Sequence, residues 1–199
     1  MVLTAQKSKI FDKIHVSTNS IKIKKIVEKN NIEVEFLRPN YLSKNSVPLA
    51  KVINYVLKKY QKKSIFFDEV WLIYSTAVLL DSHDLKKASK LMKSKSIQNI
   101  ITVTKYPVPI EWAYKIQNKY LKPLSKKNIT KDSKLFDDKF FENASFVAYK
   151  LNKKKNFISD VSRFFPFELP IWKSVDIDNK EDWDTAKKMY NIKKNINKN

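Results

Sequence analysis

No glycine occurs anywhere in the 199 residues of this chain. A loop that wraps a triphosphate with its backbone needs glycine for positive φ and for close approach, so no Gly-rich phosphate loop of any type exists in this sequence. Cysteine is also absent, which excludes disulfides, thiolate nucleophiles and cysteine-based metal sites. Arginine is almost missing: 38 of the 40 basic residues are lysine, and the exceptions are Arg38 and Arg163. The longest nearly apolar run, Val70 to Leu80, is too short to span a bilayer and carries Ser75 and Thr76. The opening residues, Met1 to Lys7, lack a basic leader followed by a long apolar run. The expectation is a soluble cytoplasmic protein with no membrane insertion.

What is present is a net charge of +20 and 43% hydrophobic residues, which makes the chain globular rather than disordered. A basic balance ordinarily points to nucleic acid or an anionic surface. Arginine is the residue for bidentate readout of bases and phosphates, and it is scarce here. The lysines are spread over many helix faces rather than gathered in one stripe, so no specific nucleic-acid partner is expected. Heavy use of lysine, asparagine and isoleucine fits drift with an AT-rich genome.

Helical spacing predicts a helix ending near residue 12, a second over about 20–29 capped by Asn19 or Ser20, and a third opened by Pro48. Further helices are expected from Asp81 or Ser82 to about 94, and over 180–191 with Trp183, Ala186 and Met189 inward. Strands are expected at 13–18, 33–37, 67–75, 97–105, 144–149 and 172–177. The run at 67–75 is the most apolar and is expected to be central. Residues 111–123 read as a hairpin turning near Asn118, 152–160 as a short helix or loop, and 193–199 as a frayed lysine/asparagine tail. Strands alternating with helices predict an α/β sandwich with a mostly parallel sheet, in one domain over 1–192. The stretch 106–170 interrupts the alternation as an insertion or dimerisation arm.

The stretch Val175 to Trp183 stands out. Asp176 and Asp178, at i and i+2 of the expected last strand, would leave it on one face, with Ile177 directed into the core. Asp178 or Asn179 can cap the following helix, with Glu181 and Asp182 in its first turn. Two readings remain open on spacing alone: a capped strand-to-helix junction, or a pair of oxygen ligands for Mg²⁺ at a strand's carboxyl end.

Several stretches taken in order resemble the acylneuraminate (CMP-sialic acid) synthetase family. Phe11-Asp12-Lys13-Ile14-His15-Val16-Ser17-Thr18 resembles its second strand, and Phe36-Leu37-Arg38-Pro39-Asn40-Tyr41-Leu42-Ser43 its following loop. Ile73-Tyr74-Ser75-Thr76-Ala77, Ile101-Thr102-Val103-Thr104 and Tyr106-Pro107-Val108-Pro109-Ile110 resemble the branch that activates pseudaminic acid, and Asp176-Ile177-Asp178 the family's closing motif. The resemblance implies a three-layer Rossmann-like nucleotide-diphospho-sugar transferase fold with an inserted hairpin/dimerisation region, and a homodimer. It implies CTP and a nine-carbon acidic sugar as substrates, Mg²⁺ as cofactor, and a CMP-sugar for surface glycan or flagellin glycosylation, with pyrophosphate released. By position, it implies that Asp176 and Asp178 hold the metal and serve catalysis. It places Arg38 and Ser43 at the nucleotide, and Tyr74, Ser75 and Thr76 at the sugar acid.

The family's opening strand and Gly-rich loop have no counterpart in this sequence. The sheet is therefore expected either to close over that position or to leave two unpaired inner edges. A second functional expectation follows from this departure: a truncated or degenerate non-catalytic relative that serves as a binding or partner subunit. A third, a basic nucleic-acid or membrane-surface protein, would show DNA binding that weakens steeply with salt.

Overall fold

The computed structural model describes residues 1–94, 96–152, 157–158 and 163–196. Among these residues, five α-helices are α1 (Val2–Ser8), α2 (Ile21–Glu28), α3 (Leu49–Gln61), α4 (Ser82–Met92) and α5 (Lys180–Ile196). Six strands are β1 (Glu69–Ile73), β2 (Asn99–Lys105), β3 (Tyr114–Gln117), β4 (Tyr120–Pro123), β5 (Phe140–Lys150) and β6 (Phe165–Glu168). The result is an α/β architecture built on a mixed four-stranded sheet, compatible with a Rossmann-like fold.

Sheet order is β1-β5-β2-β6. β5 runs antiparallel to both β1 and β2, while β2 and β6 are parallel. Three strands thus share a direction, but the reversed β5 sits between two of them, so the mostly parallel pairing read from the sequence is corrected to a mixed one. Alternation along β5 sorts its side chains onto two faces. Phe146 and Ala148 join Leu85, Ala88 and Met92 of α4, whereas Val147 and Tyr149 join Ile53 and Leu57 of α3.

The helices begin where the sequence supplies caps. Ser20 accepts the Ile23 N–H at 3.3 Å and opens α2. At α4 the Asp81 carboxylate accepts the N–H groups of His83 and Asp84, each at 3.0 Å, and Asp84 returns the bond to the Asp81 N–H at 3.1 Å. This reciprocal capping box satisfies donors that a helix start leaves without partners.

With no glycine available, left-handed backbone falls to other residues. Asn118 (φ 51°) and Lys119 (φ 70°) form the two-residue turn of the β3–β4 hairpin, the connection that pairs such turns with twisted strands. Ala144 (φ 49°) marks a bulge in β5: Ile101 faces Val147, but Val103 faces Glu142. Thr102 fills that break. Its hydroxyl donates to the Phe146 carbonyl at 3.0 Å and accepts the N–H groups of Phe146 and Ser145 at 3.1 and 3.3 Å. The displaced backbone groups are therefore satisfied although buried.

Further expectations are corrected. β1 is an edge strand, not a central one. Residues 172–177 form no strand; the last strand lies earlier, at Phe165–Glu168, with Pro166 in it, and a 3₁₀ turn, Ile171–Lys173, follows. Trp183 is 52% exposed rather than inward, while Ala186 is buried as expected. Lys193, assigned to a frayed tail, lies within α5, and its ammonium donates to the Leu79 carbonyl at 2.6 Å. Most of the segment expected over 152–160 lies outside the described residues, as do 197–199.

Residues 13–18 and 33–37 are extended but pair into no sheet among the described residues. A backbone bond, Arg38 N–H to the Thr18 carbonyl at 2.7 Å, joins the ends of the two segments. They are held instead by side chains, with Ile14, Val16 and Leu37 packed against buried Val27, Ile32 and Val34. A cavity of about 370 Å³ is lined by residues of 11–17 and of β1, while Phe11 meets Trp71 edge to face with ring centroids 5.6 Å apart.

Candidate functional site

The cavity is walled by Lys13, His15 and Ser17 on one side and by Trp71, Tyr74 and Ser75 on the other, with Arg38 at its rim. Ser17 Oγ is buried and has no hydrogen-bond partner among the described residues. Arg38 and Ser43 are brought together by the 3₁₀ turn Asn40–Ser43: Arg38 Nε donates to Ser43 Oγ at 3.1 Å, and Ser43 donates to the Pro39 carbonyl at 3.4 Å. Arg38, Tyr74 and Ser75 therefore share one cavity, and Ser43 joins it through Arg38. Thr76 does not line it. Its carbonyl accepts the Val78 N–H at 2.7 Å in the turn after β1.

Tyr74 connects the cavity to the acidic stretch. Its hydroxyl donates to Glu142 Oε1 at 3.3 Å. Burial first, and then the charge of Glu142 and the bond to it, raise the phenol well above its ordinary range; the charge of Asp176 adds to this. Tyr74 is thus a neutral phenol whose one proton is directed to Glu142. Glu142 comes from the far strand β5, and sequence order alone does not reveal that β5 pairs beside β1.

Asp176 and Asp178 lie in an irregular segment, so the same-face argument based on a strand does not apply. Both are exposed. Asp176 Oδ1 accepts the Ile177 N–H at 3.0 Å. The cap of α5 is Asn179, whose side chain accepts the Asp182 N–H at 3.0 Å, while the Asp182 carboxylate accepts the N–H groups of Asp178 and Asn179 at 3.0 and 3.1 Å. The Asp178 carboxylate takes no part in the cap and makes no hydrogen bond or ion pair among the described residues. No group of three or more His, Cys, Asp or Glu suited to a metal occurs among those residues. Two exposed carboxylates still match the donor set of Mg²⁺, which binds through one or two protein carboxylates and completes its shell with water and substrate phosphate.

A second polar cluster, which sequence reasoning missed, lies behind the cavity and reaches it through Lys13 and His15. Glu35 accepts from Lys13, from Lys63 at 2.5 Å and from the Tyr60 hydroxyl at 3.2 Å. The two lysine hydrogen bonds hold its carboxyl down at about 2. The one proton of Tyr60 goes to Glu35, so the 3.2 Å contact of His15 Nδ1 with the phenol oxygen is an N–H donating. His15 stacks on Phe36 with ring centroids 4.5 Å apart, and burial lowers its pKa to about 4. The imidazole is neutral at pH 7.

The acidic stretch is tied down by a third group of charges. Lys173 is 9% exposed, and its ammonium donates to Asp81 Oδ2 at 2.9 Å and to Asp84 Oδ2 at 2.5 Å. Burial alone would lower this lysine, but hydrogen bonds to Asp84 and Asp81 more than offset it and the pKa is raised. Asp81 is held below its usual range: burial opposes this, but the bonds from Lys173 and the Asp84 N–H prevail.

These features define an α/β protein with a candidate site alongside β1 that extends to Tyr74 and Ser75 just past its carboxyl end. No family model matches the chain. The chain is similar to pseudaminic acid cytidylyltransferases from two strains of Campylobacter jejuni, each 24% identical over 201 residues covering 94% of this chain and 82% of the relative. It is also similar to the CMP-N,N'-diacetyllegionaminic acid synthase of Legionella pneumophila, 24% identical over 204 residues covering 96% of this chain and 83% of that protein. These distant relatives support a cytidylyltransferase family. No helix among the described residues is long and apolar enough to cross a membrane.

Proposed function

We propose that the chain is a cytidylyltransferase that joins CTP to a nonulosonic acid, pseudaminic acid first among the candidates. The sugar hydroxyl attacks the α-phosphorus of CTP, the bond to the β-phosphate oxygen breaks, and pyrophosphate leaves with the CMP-sugar as the second product. The observation that carries this reading is the similarity to cytidylyltransferases over nearly the whole chain, from the Arg38 loop to the Asp176 stretch.

In this reading Asp176 and Asp178 would hold Mg²⁺, which when bound neutralises phosphate charge at the reacting centre. Arg38, oriented by Ser43, meets the nucleotide. Tyr74, kept neutral by burial, has its one proton directed to Glu142 and meets the acidic sugar through its phenol oxygen, which accepts from a sugar hydroxyl, with Ser75 and Thr76 beyond it. Its fixed hydroxyl supplies alignment, which together with charge neutralisation drives phosphoryl-centre substitution. The fold is read as three-layered. The exposed β3–β4 hairpin, with Ile116 at 77% and Tyr120 at 79% exposure, is read as the arm of a cytoplasmic homodimer. A non-catalytic partner role has no observation of its own in its favour.

A pyrophosphate-release assay with CTP, Mg²⁺ and pseudaminic acid tests this, with diacetyllegionaminic acid as the second substrate. Turnover that Asp176→Asn and Asp178→Asn each reduce by at least 100-fold is expected. No turnover with either sugar, together with no rise in Tm at millimolar CTP or CMP, overturns the reading.

A further inference from the structure

The two segments that flank Asp176 and Asp178 both return to one carboxylate. Lys173, three residues before Asp176, bonds Asp81 Oδ2 at 2.9 Å. Lys193, near the far end of the helix that follows Asp178, reaches the same oxygen at 3.3 Å and the Leu79 carbonyl at 2.6 Å. Asp81 is itself fixed, because its other oxygen caps α4. Asp84, the reciprocal partner in that capping box, receives Lys173 at 2.5 Å. Lys173 also lies over the Trp172 ring, 5.3 Å from its centroid. Two lysines and two aspartates thus form a compact, charge-balanced group at the start of α4, where helix dipole and caps favour the carboxylates. Asp81 stands after the two successive turns that begin at Tyr74 and Ala77.

We propose that Lys173 and Lys193 are positioning residues: together they clamp the Asp176–Asp178 stretch onto Asp81 and so set where its carboxylates stand relative to Tyr74. The metal-site part of this proposal rests on the cytidylyltransferase reading; the clamp itself does not. Neither lysine touches substrate. Each acts through the segment it fastens, and the exposed acidic stretch between them has its order imposed from both ends.

Hydrogen exchange and Mn²⁺ titration on the full chain test it. In Lys193→Met and Lys173→Met, amides of residues 175–183 exchange at least tenfold faster, while those of β2 and β5 stay within twofold. Where Lys173→Met fails to fold, the paired replacement Lys173→Met with Asp84→Leu removes the charges without leaving a buried carboxylate alone. Unchanged exchange at 175–183 in the folded variants, or an equal rise everywhere, overturns the clamp. Mn²⁺ affinity, read by water-proton relaxation, falls about tenfold in the clamp variants and recovers in Lys173→Arg. Lys24→Met, which breaks the Lys24–Glu28 ion pair on α2, leaves it unchanged. If the native chain binds Mn²⁺ no better than the Asp176→Asn/Asp178→Asn double variant, the metal reading fails, and the exchange result still decides the clamp.

Discussion

Residues 33–37 and residues 99–105 both read as short strands in the sequence, and they end in different states. The second run becomes β2, paired on both edges by β5 and β6. The first is extended and buried at Val34 yet belongs to no sheet among the described residues. Residues 13–18 share its state. The difference lies in the available edges, not in local propensity: β structure needs a partner backbone as well as a pleated, half-buried face. The sheet half is held by ladder bonds and the bulge-filling Thr102. The 13–38 half depends on side chains, with His15, Phe36 and Tyr60 in mutual ring contact and Glu35 between two lysines.

Removing the ring at the centre of the sheet half breaks this comparison most severely. Phe146 is fully buried, stacked on Trp71 at 5.3 Å and tilted against Phe167 at 5.6 Å. Phe146→Ala costs about 3–5 kcal/mol, and calorimetry shows Tm falling by roughly 2–4 °C for each kcal/mol. Phe36→Ala in the other half lowers Tm less than half as far. Next in size, Thr102→Val leaves the bulge donors of Ser145 and Phe146 without their acceptor and costs about 1–3 kcal/mol by urea unfolding.

Acidification sharpens the contrast. The His15 pKa is lowered on folding to about 4, so the unfolded chain binds more protons between pH 6.5 and 4, and stability falls as pH drops through that window. Glu35, held at about 2, adds a loss that begins near pH 4.5 and continues downward. His15→Phe flattens the Tm profile between pH 6.5 and 4.5 and leaves the steeper fall below it. The His15 contribution is on the order of 1–2 kcal/mol after allowance for solvent screening. The smallest effect belongs to the hairpin: Asn118→Ala, which forces a left-handed turn on alanine, costs about 1 kcal/mol. It loosens amides of 114–123 in hydrogen exchange without moving the Tm of the sheet.

Local chemistry made part of this architecture legible. The cap of α4, expected at Asp81 or Ser82, is Asp81, that of α2, expected at Asn19 or Ser20, is Ser20, and the hairpin turns at Asn118 as expected, because each acts on its own neighbours. Long-range pairing was not legible. Nothing local says that β5 enters between β1 and β2, and so the most apolar strand was placed at the centre and lies at the edge. Trp172, Val175 and Ile177 have strand-like spacing, but Pro170 starts a 3₁₀ turn and no sheet edge reaches them. Of the candidate site, the Arg38–Ser43 bond joins two residues singled out in sequence. Glu142, Lys173 and the His15–Glu35–Tyr60 cluster were invisible, since their partners come from distant elements and a lysine among 38 carries no signal.

The place of β5 also bears on how the protein is made. β1 and β2 emerge from the ribosome first, yet neither pairs with the other; both await a strand that ends at Lys150, and β2 awaits β6 as well. Throughout that interval the nascent chain carries Trp71, Leu72, Ile100 and Ile101 on strands without neighbours. The sheet closes late, in one step, through contacts distant in sequence, which makes folding slow and exposes the growing chain to aggregation before it is complete.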